Sequence, residues 1–377
     1  MMRSVIAGVL ALGILAPAVR AQGTLSAQGF GYPTGELSTR AAATGGALAP
    51  FDPVSPVNPA ALSSWGGTAI YFQYSPEFRS VSVPGGQDHT TISRFPLAAV
   101  ATSLSPRLSA GVSMATFLDR TWGTSITAEE QSGSGESSQF FEDFTVRGAI
   151  NDIRLALAYQ IVPALRIGVS GHVLTGDNRL DITRNFVDTA FADFSQHSTV
   201  GYSGNAVGVG LELRPVHGVM LAADGRIGGK ITATTGDTTL GRAWVPNVYG
   251  GGVEISAVPG LLLAGSAQWT GWSHMRGLGQ GDVTAFDGWD WGVGAEGSVV
   301  GAFGRSLPVR AGFRRRTLPF GAAGRQVTEK SASIGLGIPF GGDRSRVDLG
   351  LQRAWRSIPL AARERAWIIS AAFFIRP

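Results

Sequence analysis

Apolar and polar residues alternate along most of the chain from Gly67 onwards. In residues 207–214 the odd-numbered positions are apolar, and the even-numbered positions are small or charged. The same alternation recurs in residues 309–314 and 346–352. A helix would scatter these residues over all its faces, whereas a strand places each set on one side. The pattern therefore predicts β-strands with one apolar face and one polar face.

We identify fourteen such segments. They run for about 12 to 15 residues, whereas strands of globular proteins have a mode of ~5–6 residues. The predicted strands are residues 67–79, 90–103, 107–120, 144–160, 164–177, 200–214, 217–231, 243–257, 260–274, 286–300, 306–318, 326–339, 343–357 and 363–376.

The connections between these strands alternate in length. Tight turns follow the even-numbered strands, and the other connections, such as 129–142 and 178–199, are longer and more polar. Outer-membrane β-barrels have short periplasmic turns and long outer loops, whereas a soluble secreted β-protein has no reason to sort its loops by side. Because lipid offers no partners to backbone amides, a spanning sheet must close on itself. The sequence therefore predicts an all-β fold, a closed antiparallel transmembrane β-barrel of about 14 strands over residues 67–377. The tight turns are predicted at 105–106, 163–164, 215–216, 259–260, 301–305 and 341–344.

Aromatic residues support a membrane barrel. Tryptophan at a membrane interface buries its ring and keeps its N–H in water. The last strand, 366–376, carries aromatic residues on one face, as do the C-terminal signals of barrel assembly, but it ends in Ile375-Arg376-Pro377 instead of the usual phenylalanine. The tryptophans near predicted strand ends are Trp122, Trp244, Trp269, Trp272, Trp289, Trp291, Trp355 and Trp367.

The first 21 residues have the three parts of a secretory signal peptide. Arg3 gives a positive start, residues 5–16 are apolar, and residues 19–21 form a small-x-small cleavage site. We predict Gln22 as the mature start, with 16–18 as the alternative cleavage site. The export signal and the barrel pattern together predict the outer membrane of a Gram-negative cell.

Residues 22–66 differ from the rest of the chain. Proline removes a backbone donor and fixes φ, so no regular strand or long helix can run through 50–59. Its apolar side chains need a surface to pack against, and a barrel of fourteen strands is wide enough to leave an open lumen. We therefore predict that 22–66 is a hatch inside the lumen, the alternative being a disordered periplasmic tail. The prolines are Pro33, Pro50, Pro53, Pro56 and Pro59, and the larger apolar residues are Phe51, Val54, Val57 and Leu62.

Composition excludes several classes of function. Charged residues make up only 15% of the chain, against the ~25% of soluble domains. With no cysteine, the chain has no disulfide framework and no thiolate metal site. The formal charge of +4 falls to +2 if Arg3 and Arg20 are removed with the signal peptide, which leaves 29 basic and 27 acidic residues. This balance gives no reason to expect a nucleic-acid partner.

Candidate chemistry is sparse. The five histidines have no paired spacing of the kind that zinc uses, and no Gly-x-Ser-x-Gly elbow exists. We therefore expect neither an enzyme nor a cofactor. Trp289-Asp290-Trp291 could form a carbohydrate platform, but an aromatic rim is the simpler interpretation. The histidines are His89, His172, His197, His217 and His274.

Strand alternation predicts a polar set that faces the lumen. Both signs of charge occur in similar number, which suits solvation of the lumen or ion pairs to a hatch better than a strongly selective ion pore. On the sixth predicted strand, Leu211 should face lipid and Glu212 the lumen, where an arginine should be tolerated. The lumen-lining prediction comprises Arg154, Arg166, His172, Glu212, Arg214, Asp224, Arg226, Lys230, Glu254, Asp290, Glu296, Arg310, Arg314, Asp348 and Gln352.

One motif resembles a known family. Residues 52–62 precede the first strand and include Asp52 and the run Asn58-Pro59-Ala60, which resembles the hatch motif of the FadL-like superfamily of outer-membrane β-barrels. That superfamily includes fatty-acid and aromatic-hydrocarbon transporters and PorV-type components of a secretion system. The resemblance implies a fourteen-stranded barrel that passively transports hydrophobic small molecules, with Asn58 and its neighbours closing the lumen.

The resemblance leaves two functions open. One is passive transport, and the other is a PorV-like protein that holds or shuttles cargo in a secretion system. The predicted mature length of 356 residues (377 minus 21) and the modest outer loops are closer to the secretion branch. The expected partners are outer-membrane lipid and either hydrophobic small molecules or a secretion-system protein. The residues do not define the oligomeric state.

Overall fold

A computed structural model describes most of the chain. The described residues are 20–22, 31–83, 86–131, 137–188, 190–278, 285–300, 306–322, 325–341, 344–358 and 362–376. None of the helices in these ranges is long and apolar enough to cross a membrane.

The wall is a closed antiparallel β-barrel of fourteen strands, as predicted. Ten wall strands are continuous, four are each built from two collinear pieces, and the last strand pairs with the first to close the sheet. The two-piece strands are β3 (Ala69–Tyr74) with β4 (Glu77–Val83), β5 (Gly86–Ile92) with β6 (Leu97–Ser103), β7 (Leu108–Asp119) with β8 (Trp122–Gln131), and β13 (Thr238–Trp244) with β14 (Val248–Val258). The continuous strands are β9 (Ser137–Val162), β10 (Leu165–Phe186), β11 (Phe194–Val216), β12 (Val219–Thr235), β15 (Leu261–Thr270), β16 (Gly288–Val300), β17 (Ser306–Ala322), β18 (Arg325–Phe340), β19 (Ser345–Ile358) and β20 (Ala362–Ile375).

Two further short strands belong to the N-terminal part of the chain. β1 (Arg20–Gln22) pairs with β8, and β2 (Tyr32–Pro33) pairs with β7. The predicted signal peptide lies outside the described residues except for Arg20 and Ala21, and its cleavage stays a prediction.

Proline accounts for three of the four strand breaks. Pro76, Pro96 and Pro246 each lie in a break, where a residue without an amide hydrogen costs the sheet no ladder bond. The fourth break, between β7 and β8, contains no proline. There the Asp119 carboxylate accepts a hydrogen bond from the Thr121 amide at 2.9 Å and stabilises the bend.

The two faces of the wall differ as the alternation predicts. On β11, Val207 and Val209 are 58% and 60% exposed on the outer face, whereas Glu212 is 1% exposed on the inner face. In a membrane the outer apolar residues contact lipid, because a spanning barrel presents an apolar band outwards. The register predicted for this strand matches the structure.

Three neighbouring strands are much longer than a membrane requires. β9, β10 and β11 have 26, 22 and 23 residues, whereas a tilted transmembrane strand needs ~9–11. The expectation of longer, more polar connections at 129–142 and 178–199 is therefore wrong for most of these residues, because they continue the strands of the sheet. Ion pairs support the extension, since Arg184 on β10 binds Glu130 at 2.6 Å and Glu142 at 3.1 Å.

The turns at the opposite end are short. Residues 163–164 and 259–260 form tight turns as expected, and 104–107 encloses the turn predicted at 105–106. Of the turn predicted at 341–344, Gly341 and Arg344 are turn residues, and 342–343 lie outside the described residues. The turn predicted at 215–216 lies instead at His217-Gly218, where Gly218 supplies a positive φ of 79°. The predicted turn at 301–305 lies outside the described residues.

Residues 31–66 lie inside the wall and are mostly buried. Helix α1 (Thr39–Ala43) begins at Ser38, whose hydroxyl accepts a hydrogen bond from the Ala41 amide. A 3₁₀ helix (Pro59–Ser64) follows a proline-rich irregular stretch, and its four leading residues are buried. The chain then enters β3 at the short-turn end of the barrel. We refer to residues 31–66 as the N-terminal segment.

The connection between β15 and β16 also turns into the barrel. A 3₁₀ helix (Trp272–Leu278) replaces the end of the strand predicted at 260–274. Trp272 was predicted at the membrane rim, which is wrong: it is 7% exposed and stacks on Phe117 with ring centroids 5.5 Å apart. The physical reason is that the ladder ends at Thr270, so the indole can pack into an apolar cluster in the lumen that includes Leu174 and Ile231.

Candidate functional site

Asn58 forms a corner between the N-terminal segment and the wall. Its side-chain amide donates to the carbonyl oxygen of Pro50 at 2.9 Å and to that of Leu211 at 3.2 Å. Its Oδ1 accepts from the Ala60 amide at 2.9 Å, which caps the 3₁₀ helix that starts at Pro59. Asn58 and Ala60 are at most 1% exposed. Every hydrogen-bonding group of this side chain therefore holds the segment in place.

Two wall glycines allow this corner to approach the sheet. A Cβ atom added at Gly210 would lie 1.9 Å from Asn58 Oδ1, and one added at Gly168 would lie 2.4 Å from the Ala60 nitrogen. Any larger side chain at either position would push the segment off β10 and β11.

Asp52 organises the middle of the segment. Its carboxylate accepts hydrogen bonds from the hydroxyls of Ser38 and Ser55 and lies 3.8 Å from the Arg40 guanidinium. Asp52 is 1% exposed, so these donors compensate for the loss of water around its charge.

Arg40 connects the segment to the wall through a chain of ion pairs. It donates twice to Glu296 on β16, at 2.8 and 2.7 Å. Glu296 also accepts from Arg310 at 2.6 Å, and Arg310 donates to Asp348 at 2.6 Å. Arg346 completes the chain with a bond of 2.8 Å to Asp348. Positive and negative side chains thus alternate along this chain of ion pairs. This alternation explains why the predicted lumen set contains similar numbers of both charges.

A second polar group surrounds Glu36 of the segment. Arg226 Nη1 lies 3.3 Å from Glu36 and 3.1 Å from Asp152, so one guanidinium bridges the segment and the wall. Glu36 has a positive φ of 53°, which is unusual for a residue with a side chain. Burial raises the pKa of Glu36 to about 7, with Asp152 adding to the rise and Arg226 opposing it.

Asp152 also begins a hydrogen-bond chain along β9 and β10. His172 Nδ1 lies 2.8 Å from Asp152 Oδ2, and His172 Nε2 lies 2.9 Å from Ser170 Oγ. All three side chains are at most 7% exposed. The connectivity is that of the Ser-His-Asp triads of hydrolases, a relationship that the sequence did not reveal because Asp152 lies on another strand.

The remaining predicted lumen residues have different surroundings. Arg166 on β10 pairs with Glu212 on β11 at 3.0 Å, and Arg314 pairs with Asp290. Arg154 is 4% exposed, and its Nε and Nη1 have no hydrogen-bond partner among the described residues. Asp224 and Glu254 are partly buried on the inner face.

The prediction for Lys230 is wrong. Lys230 is exposed, and its ammonium lies 5.9 Å from the ring of Trp244, which is itself 52% exposed on the outer face. The cause is an irregular register between β11 and β12 near Gly204, which exchanges the two faces of β12. Ile231, with 0% exposure, takes the inward position instead.

The sequence analysis missed a third group, which is centred on Tyr32. The Tyr32 hydroxyl donates to Glu329 at 2.8 Å and accepts from Arg356 at 2.7 Å. Four guanidinium groups lie 4.5 to 5.5 Å from the ring centroid, where the aromatic face attracts cations. We name this set the tyrosine cluster: Tyr32, Glu77, Arg79, Arg94, Asp119, Arg316, Glu329, Arg356 and Glu364.

The tyrosine cluster carries four arginines and four carboxylates, so its formal charges cancel. The alternation that gave Arg310 and Arg314 continues to Arg316 on the same strand, and that signal could have found part of the cluster. Nothing in the sequence indicates that Tyr32 joins it, because this contact bridges nearly 300 positions.

A cavity of about 80 Å³ lies between the N-terminal segment and the wall. We call it the lumen cavity. Glu36 and Val57 of the segment line one side, and Phe117 and Trp272 lie on another. Ser170, His172, Asp224, Arg226, Arg314 and Arg316 contribute polar groups from the wall. Within the described ranges, no three His, Cys, Asp or Glu side chains are arranged to hold a metal ion.

Comparison with known proteins relates this architecture to solved structures. No protein-family model and no curated protein sequence matches the chain. A Pseudomonas aeruginosa FadL homologue superposes with a TM-score of 0.65 at 14% identity, covering 91% of this chain and 99% of that one. The fold is that of a FadL-like outer-membrane barrel.

Two further structures share this fold. The Ralstonia pickettii toluene transporter TbuX has a TM-score of 0.59, and the Pseudomonas putida toluene transporter TodX has 0.57. Each is 14% identical, and each match covers 91% of this chain and 98% of the transporter. The resemblance predicted from the Asn58 motif to FadL-like barrels is thus confirmed for the fold, while the roles of Asp52, Asn58, Pro59 and Ala60 stay predictions.

Proposed function

We propose that this FadL-like barrel is an outer-membrane protein that passively transports hydrophobic small molecules. The observation that carries the proposal is a closed fourteen-stranded wall around a lumen that holds a cavity next to buried aromatic residues. Structural neighbours that are named as toluene transporters support it. The alternative of a PorV-like role in secretion gains no support from these neighbours.

Within this proposal, residues 22–66 act as a hatch. The support comes from the described part, 31–66, where Asn58, Arg40 and Glu36 each connect the segment to a different part of the wall. Such distributed contacts keep the lumen closed to bulk water. They also leave the lumen cavity on the side of the segment that faces the longer strand ends.

The Ser170-His172-Asp152 chain has a positioning role in this proposal and is not a catalytic triad. Acyl transfer needs preorganised donors for an oxyanion, which are commonly backbone amides. Ser170 lies in the middle of a regular ladder, opposite Ala156 on one side and Gly208 on the other. The amides around it are engaged in the sheet, so they cannot form an oxyanion hole. These hydrogen bonds instead hold the Asp152 carboxylate next to Arg226, 3.1 Å from its Nη1.

Uptake measurements test the transport proposal. Cells whose outer membrane lacks other hydrocarbon transporters would express the chain, and the initial rate of uptake of radiolabelled toluene would be measured. We expect Val57→Trp to slow uptake severalfold, because the larger ring fills the lumen cavity. Val209→Trp is the matched control on the outer face, where Val209 is 60% exposed, and should leave uptake unchanged. Equal rates in cells with and without the protein would contradict the proposal.

The hatch is tested by conductance. Deletion of residues 51–62 removes Asp52, the Asn58 corner and the buried residues Phe51, Val54 and Leu62. We expect the wall to stay folded and planar bilayers to gain large, steady conductance for small hydrophilic ions. An unchanged conductance, together with free proteolysis of 51–62 in the intact protein, would show that the segment does not close the lumen.

A further inference from the structure

One side of the lumen cavity is apolar. Phe117 and Trp272 stack on each other, and Val57 and Leu318 continue the surface towards the N-terminal segment. Phe117, Trp272 and Leu318 are all at most 7% exposed, so they are already removed from bulk water. A small ring placed against this surface would remove its own apolar area from water, which favours binding.

Asp224 faces the same cavity from β12. Among the described residues it forms no ion pair, and its buried Oδ1 has no hydrogen-bond partner. The nearest cation in sequence, Arg226, is occupied by Glu36 and Asp152. A buried carboxylate oxygen without a donor is costly. The buried Oδ1 is closed to a ligand, but no hydrogen bond or ion pair of the described residues occupies the other carboxylate oxygen, which is therefore free to accept from a ligand donor.

The charges around the cavity favour a neutral ligand. Arg226, Arg314 and Arg316 all line it and disfavour an ammonium group. Glu36, Asp224 and Asp290 line it as well and disfavour an anion. A hydroxyl group donates to Asp224 without adding charge to this balanced set.

The size of the cavity further limits which ligands can bind. Its volume of about 80 Å³ is several times the ~10–15 Å³ that one water needs, yet small for a molecule with a long chain. The apolar and polar sides meet at Arg226, whose guanidinium lies 5.2 Å from the Phe117 ring centroid. A compact ligand can therefore touch an aromatic wall and the carboxylate of Asp224 at once.

We propose that the lumen cavity binds small neutral aromatic compounds that carry a hydroxyl group, with Asp224 accepting the hydrogen bond and the Phe117–Trp272 pair packing on the ring. This inference rests on the proposed transport function and narrows its substrate class. A hydrocarbon without the hydroxyl reaches the same apolar wall but leaves Asp224 unpaired. Sites built to bind a hydroxyl discriminate strongly against analogues that lack it.

Calorimetric titration of the detergent-purified full chain with phenol and with toluene tests the proposal. We expect the wild-type protein to bind phenol at least tenfold more tightly than toluene, and Asp224→Ala to lose at least tenfold in phenol affinity with little change for toluene. Glu254→Ala is the matched control, because Glu254 is also an inward carboxylate on a neighbouring strand but lies outside the cavity lining. It should leave both affinities unchanged.

Folding is checked by the heat-induced shift in gel mobility. If Asp224→Ala does not fold, Asp224→Asn keeps an acceptor oxygen without the charge and should lose part of the phenol affinity. Equal affinities for the two compounds in the wild type, or full phenol affinity in the folded variant, overturn the inference. Toluene uptake by cells separates the two proposals. Uptake that depends on the protein, without any preference for phenol in titration, rejects the ligand class alone, whereas toluene uptake no faster with the protein than without it rejects transport.

Discussion

The side-chain amide of Asn58 donates a hydrogen bond to the carbonyl oxygen of Leu211, 3.2 Å away on β11. The contact joins the N-terminal segment to a wall strand 153 positions later in the chain. The Leu211 side chain, in contrast, points outwards and is 38% exposed. One residue of the wall thus accepts a hydrogen bond from the lumen through its carbonyl oxygen and presents its side chain on the outer face.

Replacement of Asn58 should loosen the segment without unfolding the wall. Asn58→Ala removes the cap on the Ala60 amide and the donors to Pro50 and Leu211. Loss of an N-cap costs about 0.5–2 kcal/mol. We expect faster proteolysis within the segment and transient conductance in planar bilayers. Ser63→Ala, on the same 3₁₀ helix, should behave like the wild type, and identical behaviour of both variants would contradict a special role for Asn58.

The Arg40–Glu296 pair should contribute measurable coupling. A double-mutant cycle with Arg40→Ala and Glu296→Ala should give roughly 1–3 kcal/mol by thermal unfolding in detergent, because the contact is bidentate and partly buried. The exposed pair of Arg179 and Asp177 is the control and should give about 0–1 kcal/mol. A coupling for Arg40–Glu296 no larger than that of the control would mean that the pair does not anchor the segment.

Docking of the N-terminal segment should weaken as the pH rises and Glu36 loses its proton. The pKa of Glu36 is raised to about 7, whereas an unfolded glutamate titrates near 4.5. The docked form therefore holds its proton over this interval, and its stability is greatest below about pH 4.5 and falls as the pH rises towards 7. The charged groups that face Glu36 are Arg226, Asp152 and Arg154.

Protease resistance of the segment at pH 5 and pH 8 measures this effect. The wild type should be cut faster at pH 8, and Glu36→Gln, which stays neutral, should remove most of the difference. An unchanged difference in the variant would assign the pH dependence to another group.

Arginine at position 211 should prevent efficient folding into lipid. Leu211→Arg places a charge on the lipid-facing side, which costs ~2–4 kcal/mol near the membrane midplane. Glu212→Gln keeps the shape and a hydrogen-bond acceptor for Arg166 and should fold nearly as well as the wild type. Folding yields into lipid vesicles compare the two, and equal losses would mean that the assigned faces of β11 are wrong.

The structure changes what we expect of arginine at position 212. A water-filled lumen would tolerate Glu212→Arg, which is what the sequence alone predicted. Glu212 is instead 1% exposed and 3.0 Å from Arg166, so the new guanidinium would face a like charge in a buried site. An uncompensated charge in a buried site costs about 3–5 kcal/mol, so Glu212→Arg should lower the folding yield, whereas Glu212→Gln buries no charge and leaves Arg166 partly in water.

Tyr32 should stabilise the arginines around it through its hydroxyl. Tyr32→Phe keeps the ring but removes the bonds to Glu329 and Arg356, which should cost about 1.5–3 kcal/mol because the partners are charged. Tyr32→Leu also removes the aromatic face and should cost more. Thermal unfolding in detergent separates the two, and equal midpoints for Tyr32→Phe and the wild type would argue against the hydroxyl contribution.

The wall could be predicted from the sequence because alternation is a local property. Leu211 and Glu212 differ in character, so their faces can be read without knowledge of any partner. Lys230 was misassigned because a single irregular register between Gly228 and Ile231 inverts the faces, and the glycine pair 228–229 was the only local sign of it. Trp272 was misassigned because its strand ends early and an indole can pack as well inside a lumen as at a rim.

The polar contacts of the lumen depend on partners that are distant in sequence. Asp152, Ser170 and His172 are ordinary inward residues until the pairing of β9 with β10 brings them together. Tyr32 lies in a short strand that pairs with β7 and has no periodic pattern of its own. Such contacts depend on how the strands pair in the folded barrel. Composition and spacing could therefore suggest that charges are buried, but not which residues pair with each other.

The seam between β20 and the first wall strand has a consequence for assembly. β3 follows directly after the N-terminal segment, and the wall closes only when β20 pairs with β3 and β4. A segment whose side chains interlock with most of the inner surface cannot thread into a finished cylinder. It must therefore be enclosed while the sheet is still open, so that the N-terminal segment docks before β20 pairs with β3 and β4 and seals the barrel around it.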